Sequence, residues 1–359
     1  MRIAQIAPLY ESVPPKYYGG TERVVSYLTE ELVRQGHDVT LFASGDSLTS
    51  AQLVPCCPRS LRLDQDCVDQ MAHHVLALEH VMQRADDFDV LHFHADYFHY
   101  PLSRRAGYVH VTTLHGRLDT PDLAPLYREF RDMPLVSISD AQRKPLPGSN
   151  WTATVHHGLP SQLYPFCSPP GHYLAFIGRF SPEKRVDRAI EIARRAQVPL
   201  KIAAKVDAAD RRYFDEKIRP LLDDPIVECI GEIGEDAKAD FLGNARALLF
   251  PIDWPEPFGL VMIEAMACGT PVIAYPHGSV PEIIDDGRTG FLVGSIDEGV
   301  RAVERISELS RACCRETFED RFTATRMADD YIRLYERLIA GSMRVPEIAA
   351  YGRRARTHQ

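Results

Sequence analysis

Several features that mark other classes of protein are missing from this sequence. Its eight cysteines form two adjacent pairs and four scattered residues, and no C-x-x-C pair occurs among them. This pattern argues against a zinc knuckle or a disulfide framework and is typical of a reduced cytoplasm. The net charge of −9 argues against a nucleic-acid-binding protein, which normally presents a basic face. We therefore predict a cytoplasmic protein with no nucleic-acid partner.

Long apolar runs and the common nucleotide-binding motifs are also missing. No run reaches the length needed to cross a membrane, and MRIAQIAPLY lacks the apolar core of a signal peptide. Neither G-x-G-x-x-G nor a P-loop with G-K-[ST] is present. The sequence thus predicts no integral membrane segment, and it gives little support to an NAD-dependent enzyme.

What the chain does contain is the same alternation of strands and helices, twice. Its 359 residues exceed the usual limit for one hydrophobic core, so two domains are expected. Strands are predicted in the first half at RIAQIAP, HDVTLFAS, DVLHFHA, YVHVTTLHG, PLVSISD and WTATVHHG. Strands are predicted in the second half at HYLAFIGRF, PLKIAAK, IVECIGE, ARALLFP, TPVIAY and TGFLV. Such alternation predicts two α/β domains, each a Rossmann-like, doubly wound parallel sheet.

The boundary between the two halves is rich in proline and glycine. HHGLPSQLYPFCSPPGH interrupts every periodic pattern and predicts a linker near residues 158–171. We accordingly predict domains at residues 1–158 and 159–322 and a C-terminal helical segment at 323–345. Two such domains imply a central cleft, and ligands of parallel sheets bind at the carboxyl ends of the strands.

Two strand-to-helix loops carry candidate site residues. Gly19 and Gly20 precede the first helix and allow a ligand close to the backbone, although a glycine turn capped by Thr21 is an equal alternative. In FIGRFSPEKRVDRAI, Arg179 ends a strand and Lys184 opens the next helix. Because both cations project from one strand end beside a helix N-terminus, they predict a diphosphate site.

Histidines follow two strands of the first half. His115 follows an apolar strand and precedes a glycine, which favours a place in the cleft over a purely structural role. His92 and His94 share one face of a strand and resemble half of a metal site. No suitably spaced third ligand is apparent, so no metal is predicted.

Two glutamates stand in the mostly apolar stretch WPEPFGLVMIEAMACGTPVIAYPHG. Glu256 lies between two prolines on a loop before a helix, where a carboxylate can also simply complement the helix dipole. Glu264 lies within the helix among apolar residues, and an ionised group there is costly unless a partner is present. The second carboxylate therefore requires a ligand or a cation.

Taken in order, the Gly-Gly loop, Arg179 with Lys184 and Glu256-x7-Glu264 resemble the retaining glycosyltransferases of family 4. The resemblance extends from IAPLYESVPPKYYGGTERVVSYL to the C-terminal helix, and its most specific part is EPFGLVMIEAMACGTPVIA. It implies the GT-B fold, in which two Rossmann-like domains face a central cleft and the C-terminal helix packs back toward the N-terminal domain.

The resemblance also implies a role for each candidate residue. Arg179, Lys184 and the amides near Gly19 and Gly20 would hold the diphosphate of a nucleotide-sugar donor, so no metal or other cofactor would be required. Glu264 would accept hydrogen bonds from the ribose, Glu256 would contact the donor sugar, and His115 would approach the reacting centre. The remaining donor-binding residues implied are Lys205, Ile233, Phe258, Gly259 and Leu260.

Retention in this family is pictured as attack on the same face of the sugar, with the leaving phosphate accepting the proton of the acceptor. Double displacement through a carboxylate, as in retaining glycosidases, is the alternative.

The sequence departs at three places from the residues that many members of the family carry: Arg185, the HHGL turn at His156–Leu159 and Lys205. None of these departures removes a charged group that the mechanism needs.

The expected reaction is metal-independent transfer of a hexose to a hydroxyl acceptor. UDP-glucose is the preferred donor, followed by GDP-mannose and ADP-glucose. The first 160 residues hold 14 Lys/Arg against 19 Asp/Glu, which favours a sugar, polyol or other small acceptor over a membrane lipid. A nucleotide-sugar epimerase and a non-catalytic sugar-nucleotide-binding protein are the alternatives from other classes. The oligomeric state is not readable from the sequence.

Overall fold

The computed structural model describes residues 1–17 and 19–342 and contains two parallel sheets. The first has the order β3-β2-β1-β4-β5-β6-β7. Its strands are β1 (Arg2–Ile6), β2 (Asp38–Ser44), β3 (Gln52–Cys57), β4 (Val90–Phe93), β5 (His110–Thr113), β6 (Leu135–Ser137) and β7 (Trp151–Thr154). The helices that accompany this sheet are α1 (Gly20–Arg34), α2 (Gln70–Gln83), α3 (Tyr100–Ala106), α4 (Leu123–Glu129) and α5 (Asp140–Arg143).

The second sheet has the order β10-β9-β8-β11-β12-β13 and is also parallel. Its strands are β8 (Tyr173–Arg179), β9 (Leu200–Lys205), β10 (Val227–Cys229), β11 (Ala245–Phe250), β12 (Val272–Ala274) and β13 (Gly290–Leu292). Its helices are α6 (Val186–Ala196), α7 (Arg211–Tyr213), α8 (Glu235–Gly243), α9 (Leu260–Ala267), α10 (Val280–Ile283), α11 (Ile296–Arg305) and α12 (Arg311–Arg321). Each sheet reverses its strand order beside the first strand, and the prediction of two Rossmann-like doubly wound sheets is confirmed.

Both faces of each sheet are covered by helices, which explains why the strands are apolar without strict alternation. In β11, Leu248 packs into the core beneath α9 and α12, whereas Ala247 and Leu249 pack into the core on the other face, beneath α6 and α11. In β1, Ile3 faces α1 and Ile6 faces the core under α2. Successive strand residues thus supply two cores per sheet.

The last described helix, α13 (Ala324–Ser342), packs on the first sheet. Its residues Met327, Tyr331 and Tyr335 are buried against Ile3 and the apolar face of α1. Leu159 and Thr323 form an isolated parallel bridge, so the two chain segments near the predicted domain limits run side by side. The last part of the predicted segment, residues 343–345, lies outside the described residues.

Strand β3 was not predicted. Its sequence QLVPCC holds Pro55, which cannot donate to a sheet ladder and therefore argues against a central strand. The structure accommodates Pro55 because β3 lies at the edge of the first sheet. Lys184 also differs from expectation, since it ends a short 3₁₀ turn and the helix begins two residues later at Val186.

Candidate active site

A cleft of about 680 Å³ is lined by residues from both halves of the chain. This volume is in the range usual for small-molecule sites. Its walls follow the carboxyl ends of β1, β5, β8, β9 and β11, where ligands of parallel sheets bind. The twelve residues predicted for the site all line it: Gly19, Gly20, His115, Arg179, Lys184, Lys205, Ile233, Glu256, Phe258, Gly259, Leu260 and Glu264.

The Gly-Gly loop ends at the N-terminus of α1. A Cβ atom on Gly19 would lie 2.8 Å from Cβ of Pro15 and 3.2 Å from Cγ of Glu11, so this turn is shaped for glycine. Gly20 is the first helical residue and Thr21 lies inside the helix, which begins without a side-chain cap. The alternative of a turn capped by Thr21 is therefore wrong. Uncapped first-turn amides suit an anionic ligand.

Two cations follow the adjacent strands β8 and β9. The Arg179 guanidinium donates to Glu183 over 3.0 Å and to Asp207 over 3.3 Å, and Lys205 contacts the other oxygen of Asp207 at 3.0 Å. Asp207 contacts both Arg179 and Lys205 and therefore holds the two cations together at one edge of the sheet. The arrangement fixes two positive groups on the cleft wall.

Lys184 and Glu256 form an ion pair inside the cleft, with side-chain exposures of 17% and 11%. Trp254 donates its indole N–H to the same Glu256 oxygen over 3.1 Å, and its ring centroid lies 5.0 Å from the Lys184 ammonium. Glu256 thus contacts a cation and an indole rather than only complementing the dipole of α9. The two groups of a largely buried ion pair keep a fixed orientation, because little water is available to hydrate them separately.

The loop that carries Glu256 is fixed from two directions. Ser279 donates its backbone N–H to the Glu256 carbonyl over 2.9 Å, and Ser139, after β6, donates its hydroxyl to the Pro257 carbonyl over 2.7 Å. Gly278 has φ of 62°, and a Cβ there would lie only 2.3 Å from the Glu256 carbonyl oxygen. A larger residue at position 278 would therefore displace this loop.

Glu264 is buried on α9 and has a protein partner. Its carboxylate accepts from the Lys238 ammonium over 2.8 Å, and Lys238 also lies 3.4 Å from Glu235 on its own helix α8. Glu235 in turn pairs with Arg23 of α1 and accepts from the Tyr164 hydroxyl. The carboxylate of Glu264 is thus compensated in the free protein, and the network joins the two halves of the chain beside the cleft.

His115 lies at the end of β5 and is neutral. Burial lowers the pKa of its imidazole to about 3. Its Nε2 lies 2.9 Å from Nδ1 of His94, whose Nε2 lies 2.8 Å from the Gln5 amide oxygen. His157 stacks on the ring at 5.3 Å, and Nδ1 of His115 has no partner among the described residues. The neutral ring therefore lines the cleft with one nitrogen engaged by His94 and the other buried.

His92, the histidine within β4, is part of the same buried network. Its Nδ1 lies 2.6 Å from the Tyr335 hydroxyl and its Nε2 lies 2.7 Å from the Thr113 hydroxyl, which contacts Tyr331 at 2.8 Å. The histidines that resembled half a metal site therefore join the first sheet to α13. Within residues 1–17 and 19–342, no group of three or more His, Cys, Asp or Glu side chains is arranged to hold a metal ion.

The departures from the common family residues have local structural roles. Arg185 adopts a left-handed conformation with φ of 52°, and its guanidinium binds Asp187 at 2.8 Å and Asp253 at 2.9 Å, which shapes the loop before α6. In the HHGL turn, a Cβ on Gly158 would lie 2.1 Å from the Thr323 carbonyl oxygen. The turn therefore needs glycine at the point where the two crossing segments meet.

The cleft residues that were not identified from the sequence include Glu22, Arg117, Lys238 and Trp254. Trp254 stands two residues before Glu256 and is one of only two tryptophans, a signal that the sequence offered. Lys238 offered no such signal, because an isolated lysine on an amphipathic helix is usually solvated. Arg117 lies over the Trp254 ring at 5.7 Å and belongs to the opposite half of the chain.

No helix in the described ranges combines the length and apolar character needed to cross a membrane.

Comparison with known proteins gives two family matches. The model for glycosyltransferase family 4 matches residues 18–188, and the model for glycosyl transferases group 1 matches residues 169–316. N-acetyl-alpha-D-glucosaminyl L-malate synthase of Bacillus anthracis is 25% identical over 361 residues, covering 88% of this chain and 93% of that protein. Two other curated relatives match over shorter stretches, and the chain spans about half the length, 46%, of one of them and 16% of the other.

Solved structures agree with the family matches. AviGT4, a glycosyltransferase involved in avilamycin A biosynthesis, is 25% identical with a TM-score of 0.73, covering 95% of this chain and 98% of that one. HepE of Anabaena, solved in complex with UDP and glucose, shares the fold at 18% identity with a TM-score of 0.71, covering 94% of this chain and 100% of that chain. The chain belongs to glycosyltransferase family 4 and has the GT-B fold.

Proposed function

We propose that this protein is a retaining glycosyltransferase that moves a hexose from a nucleoside diphosphate sugar to a hydroxyl acceptor without a divalent metal. The observation that carries the proposal is the Lys184–Glu256 pair, which sets a cation and a carboxylate beside Arg179 in one cleft. A diphosphate needs cations and a sugar needs hydrogen-bond acceptors, and this wall supplies both. A cytoplasmic location also remains a prediction.

Each part of the donor has a counterpart in the cleft. Arg179, Lys184 and the backbone amides near Gly19 and Gly20 would stabilise the negative charge that develops on the leaving diphosphate. Glu264 would receive the ribose hydroxyls, with Lys238 keeping its charge compensated before the donor binds. The side chains of Ile233 and Leu260 give this wall apolar contacts for the nucleoside.

The geometry favours same-face attack over double displacement. Glu256 is held by Lys184 and Trp254, and these contacts stabilise its negative charge and weaken it as a nucleophile. His115 is neutral because of its low pKa and does not serve as a general acid at neutral pH. The leaving phosphate, surrounded by cations, would then accept the proton of the acceptor hydroxyl.

Donor hydrolysis tests the proposed reaction directly. The protein is incubated with UDP-glucose, GDP-mannose, ADP-glucose and UDP-N-acetylglucosamine, and the released sugar is followed by proton NMR. UDP-glucose comes first because HepE, a protein of the same fold, was solved with UDP and glucose, although a likeness of this kind supports the fold and not the donor. Early release of the α-anomer from one donor supports retention, and early release of the β-anomer contradicts it.

Thermal stability, measured together with donor turnover, distinguishes a binding protein from an enzyme. The donor's nucleoside diphosphate should raise the melting temperature, since a ligand that binds only the native state stabilises it. Stabilisation with neither hydrolysis nor transfer for any donor would indicate a non-catalytic protein. Conversion of the donor into an epimer without transfer would indicate an epimerase.

Chelation of metal ions is expected to leave turnover unchanged. In this site Arg179, Lys184 and helix amides are positioned for the charge compensation that other transferases obtain from a divalent ion. Initial rates are measured in excess EDTA and after addition of Mg²⁺ or Mn²⁺. Loss of activity in EDTA that either ion restores would contradict the proposed charge compensation.

Removal of the Glu264 carboxylate is expected to weaken binding of the free nucleoside diphosphate. Glu264→Ala removes charged hydrogen bonds to the ribose, which are worth about 1–3 kcal/mol. Calorimetric titration measures the affinity. Glu228→Ala is the control, because Glu228 contacts Lys201 at 3.2 Å away from the cleft. Equal affinity of the folded Glu264→Ala variant and the parent protein would show that Glu264 only partners Lys238.

A further inference from the structure

Glu22 is a buried carboxylate in the cleft that the proposed donor contacts do not use. It lies in the first turn of α1, is 5% exposed and lines the cleft. Among the described residues it forms no ion pair, and the hydrogen bond it makes is to its own backbone N–H. Burial raises the pKa of this carboxyl to about 7. Apart from the bond to its own backbone, the carboxylate has no hydrogen-bond or ion-pair partner among the described residues, and a ligand hydroxyl can supply one.

The cations on the same wall are engaged by other carboxylates. Arg62 pairs with Glu11, and Arg23 pairs with Glu235 across the cleft. Arg117 binds Asp119 at 2.7 Å. Above about pH 7, where Glu22 is mostly ionised, the wall therefore carries one buried carboxylate in excess of its ion pairs. A phosphate or carboxylate on the acceptor would meet Glu22 and would have to compete with these pairs.

Exposed aromatic rings lie on the same side of the cleft. Tyr10 is 39% exposed and Tyr17 is 58% exposed, and both line the cleft. The Tyr10 ring rests against His74 with centroids 4.8 Å apart, and Glu22 lines the same cleft. An aromatic ring beside a hydrogen-bond acceptor matches a sugar or polyol, which has apolar C–H faces and hydroxyl groups on its rim.

We propose that Glu22 binds a hydroxyl group of the acceptor, and that the acceptor is an uncharged sugar or polyol rather than a phosphorylated or carboxylated one. The inference rests on the proposed transfer reaction and adds the acceptor's chemical class. Glu22 acts by holding the acceptor, and the donor diphosphate is held by other groups.

Matched pairs of acceptors test the inference on the full chain with the donor identified by hydrolysis. Glucose is compared with glucose 6-phosphate, myo-inositol with myo-inositol 1-phosphate, and glycerol with glycerol 3-phosphate. For at least one pair, the parent protein should transfer the sugar to the uncharged acceptor with a higher kcat/KM than to the phosphorylated one. Faster transfer to the charged members, or donor hydrolysis without transfer to any uncharged member, would overturn the inference.

Variants of Glu22 separate acceptor binding from donor binding. Glu22→Ala should lower kcat/KM for the uncharged acceptor about 10- to 100-fold, the usual effect of losing a hydrogen bond to a charged group. Donor hydrolysis without acceptor and affinity for the nucleoside diphosphate should stay within about twofold. Glu22→Gln keeps the shape of the side chain and removes its charge. It should lower the ratio of kcat/KM for the uncharged acceptor to kcat/KM for the phosphorylated one.

Glu30→Gln is the matched control, because Glu30 lies on the same helix outside the cleft and binds the Thr49 hydroxyl at 2.6 Å. It should leave all three measurements unchanged. If Glu22→Ala lowers donor hydrolysis or nucleoside diphosphate affinity as much as transfer, Glu22 contacts the donor and the inference is wrong. Absence of donor hydrolysis in the parent protein would instead contradict the proposed function itself.

Discussion

Replacement of Lys184 by methionine is expected to lower kcat by ~10²–10³-fold, the usual effect of removing one preorganised electrostatic contact. Methionine keeps most of the apolar stem and removes the ammonium, which lies 5.6 Å from the Phe250 ring centroid and 5.0 Å from that of Trp254. The rate falls because the charge on the leaving diphosphate then loses one of its two side-chain cations. Single-turnover kinetics with saturating donor and acceptor measure the effect on the chemical step.

A similar lysine in the same half of the chain provides the control. Lys201 contacts Glu228 at 3.2 Å and lies 4.8 Å from the Tyr173 ring centroid, so it has a carboxylate and an aromatic neighbour just as Lys184 does. It does not line the cleft. Lys201→Met should therefore keep full activity. A Lys184→Met variant with near-normal kcat would mean that Arg179 and the helix amides suffice for the leaving group.

The architecture followed from the sequence because its signals are local. Apolar runs such as ARALLFP and TPVIAY separated by amphipathic helices indicate parallel strands wherever they occur. The exception, β3, shows the limit of this reasoning. Pro55 and the flanking Cys56 and Cys57 do not resemble a strand until the edge position is known.

The twelve predicted cleft residues were brought together for a related reason. Except for Glu264, which lies within α9, they stand in or next to the segments between strand ends and helix starts, and parallel topology collects those segments at one edge. The pairing among the charges was not predictable, since Lys238 reaches Glu264 only through the packing of α8 against α9. The contact between Lys184 and Glu256 joins residues 72 positions apart and is likewise visible only in the fold.

Glu22 and His94 illustrate a second limit. Glu22 reads as an ordinary acidic residue in a first helical turn, where it complements the dipole. Its proposed role in acceptor binding was inferred from its burial in the cleft without a paired cation, and that burial depends on the surrounding fold. His94 reads as half of a metal site, and its contacts with His115 and Gln5 depend on the register of β1, β4 and β5. Spacing along the chain does not encode such contacts.

Replacement of Glu256 is expected to separate binding from chemistry most sharply. If its carboxylate contacts the donor sugar, Glu256→Gln and Glu256→Ala should bind the nucleoside diphosphate with nearly normal affinity. Transfer should fall by ~10²–10³-fold, because contacts to the sugar orient it and stabilise the charge developing at the anomeric carbon. Glutamine keeps the shape and removes the charge that Lys184 faces. Equal losses in the two variants would therefore identify charge as the contribution, and a mild loss in Glu256→Gln would identify hydrogen-bonded positioning.

The ion pair itself provides the last test of this assignment. Since Lys184 and Glu256 are in direct contact, the double variant Lys184→Met/Glu256→Gln should lose much less activity than the product of the two single losses. The corresponding cycle on Lys201 and Glu228 should leave transfer unchanged, because that pair lies outside the cleft. Near-normal transfer by both single variants of Glu256 would contradict a role at the sugar. The carboxylate would then serve only to hold Lys184 and the loop before α9 in place.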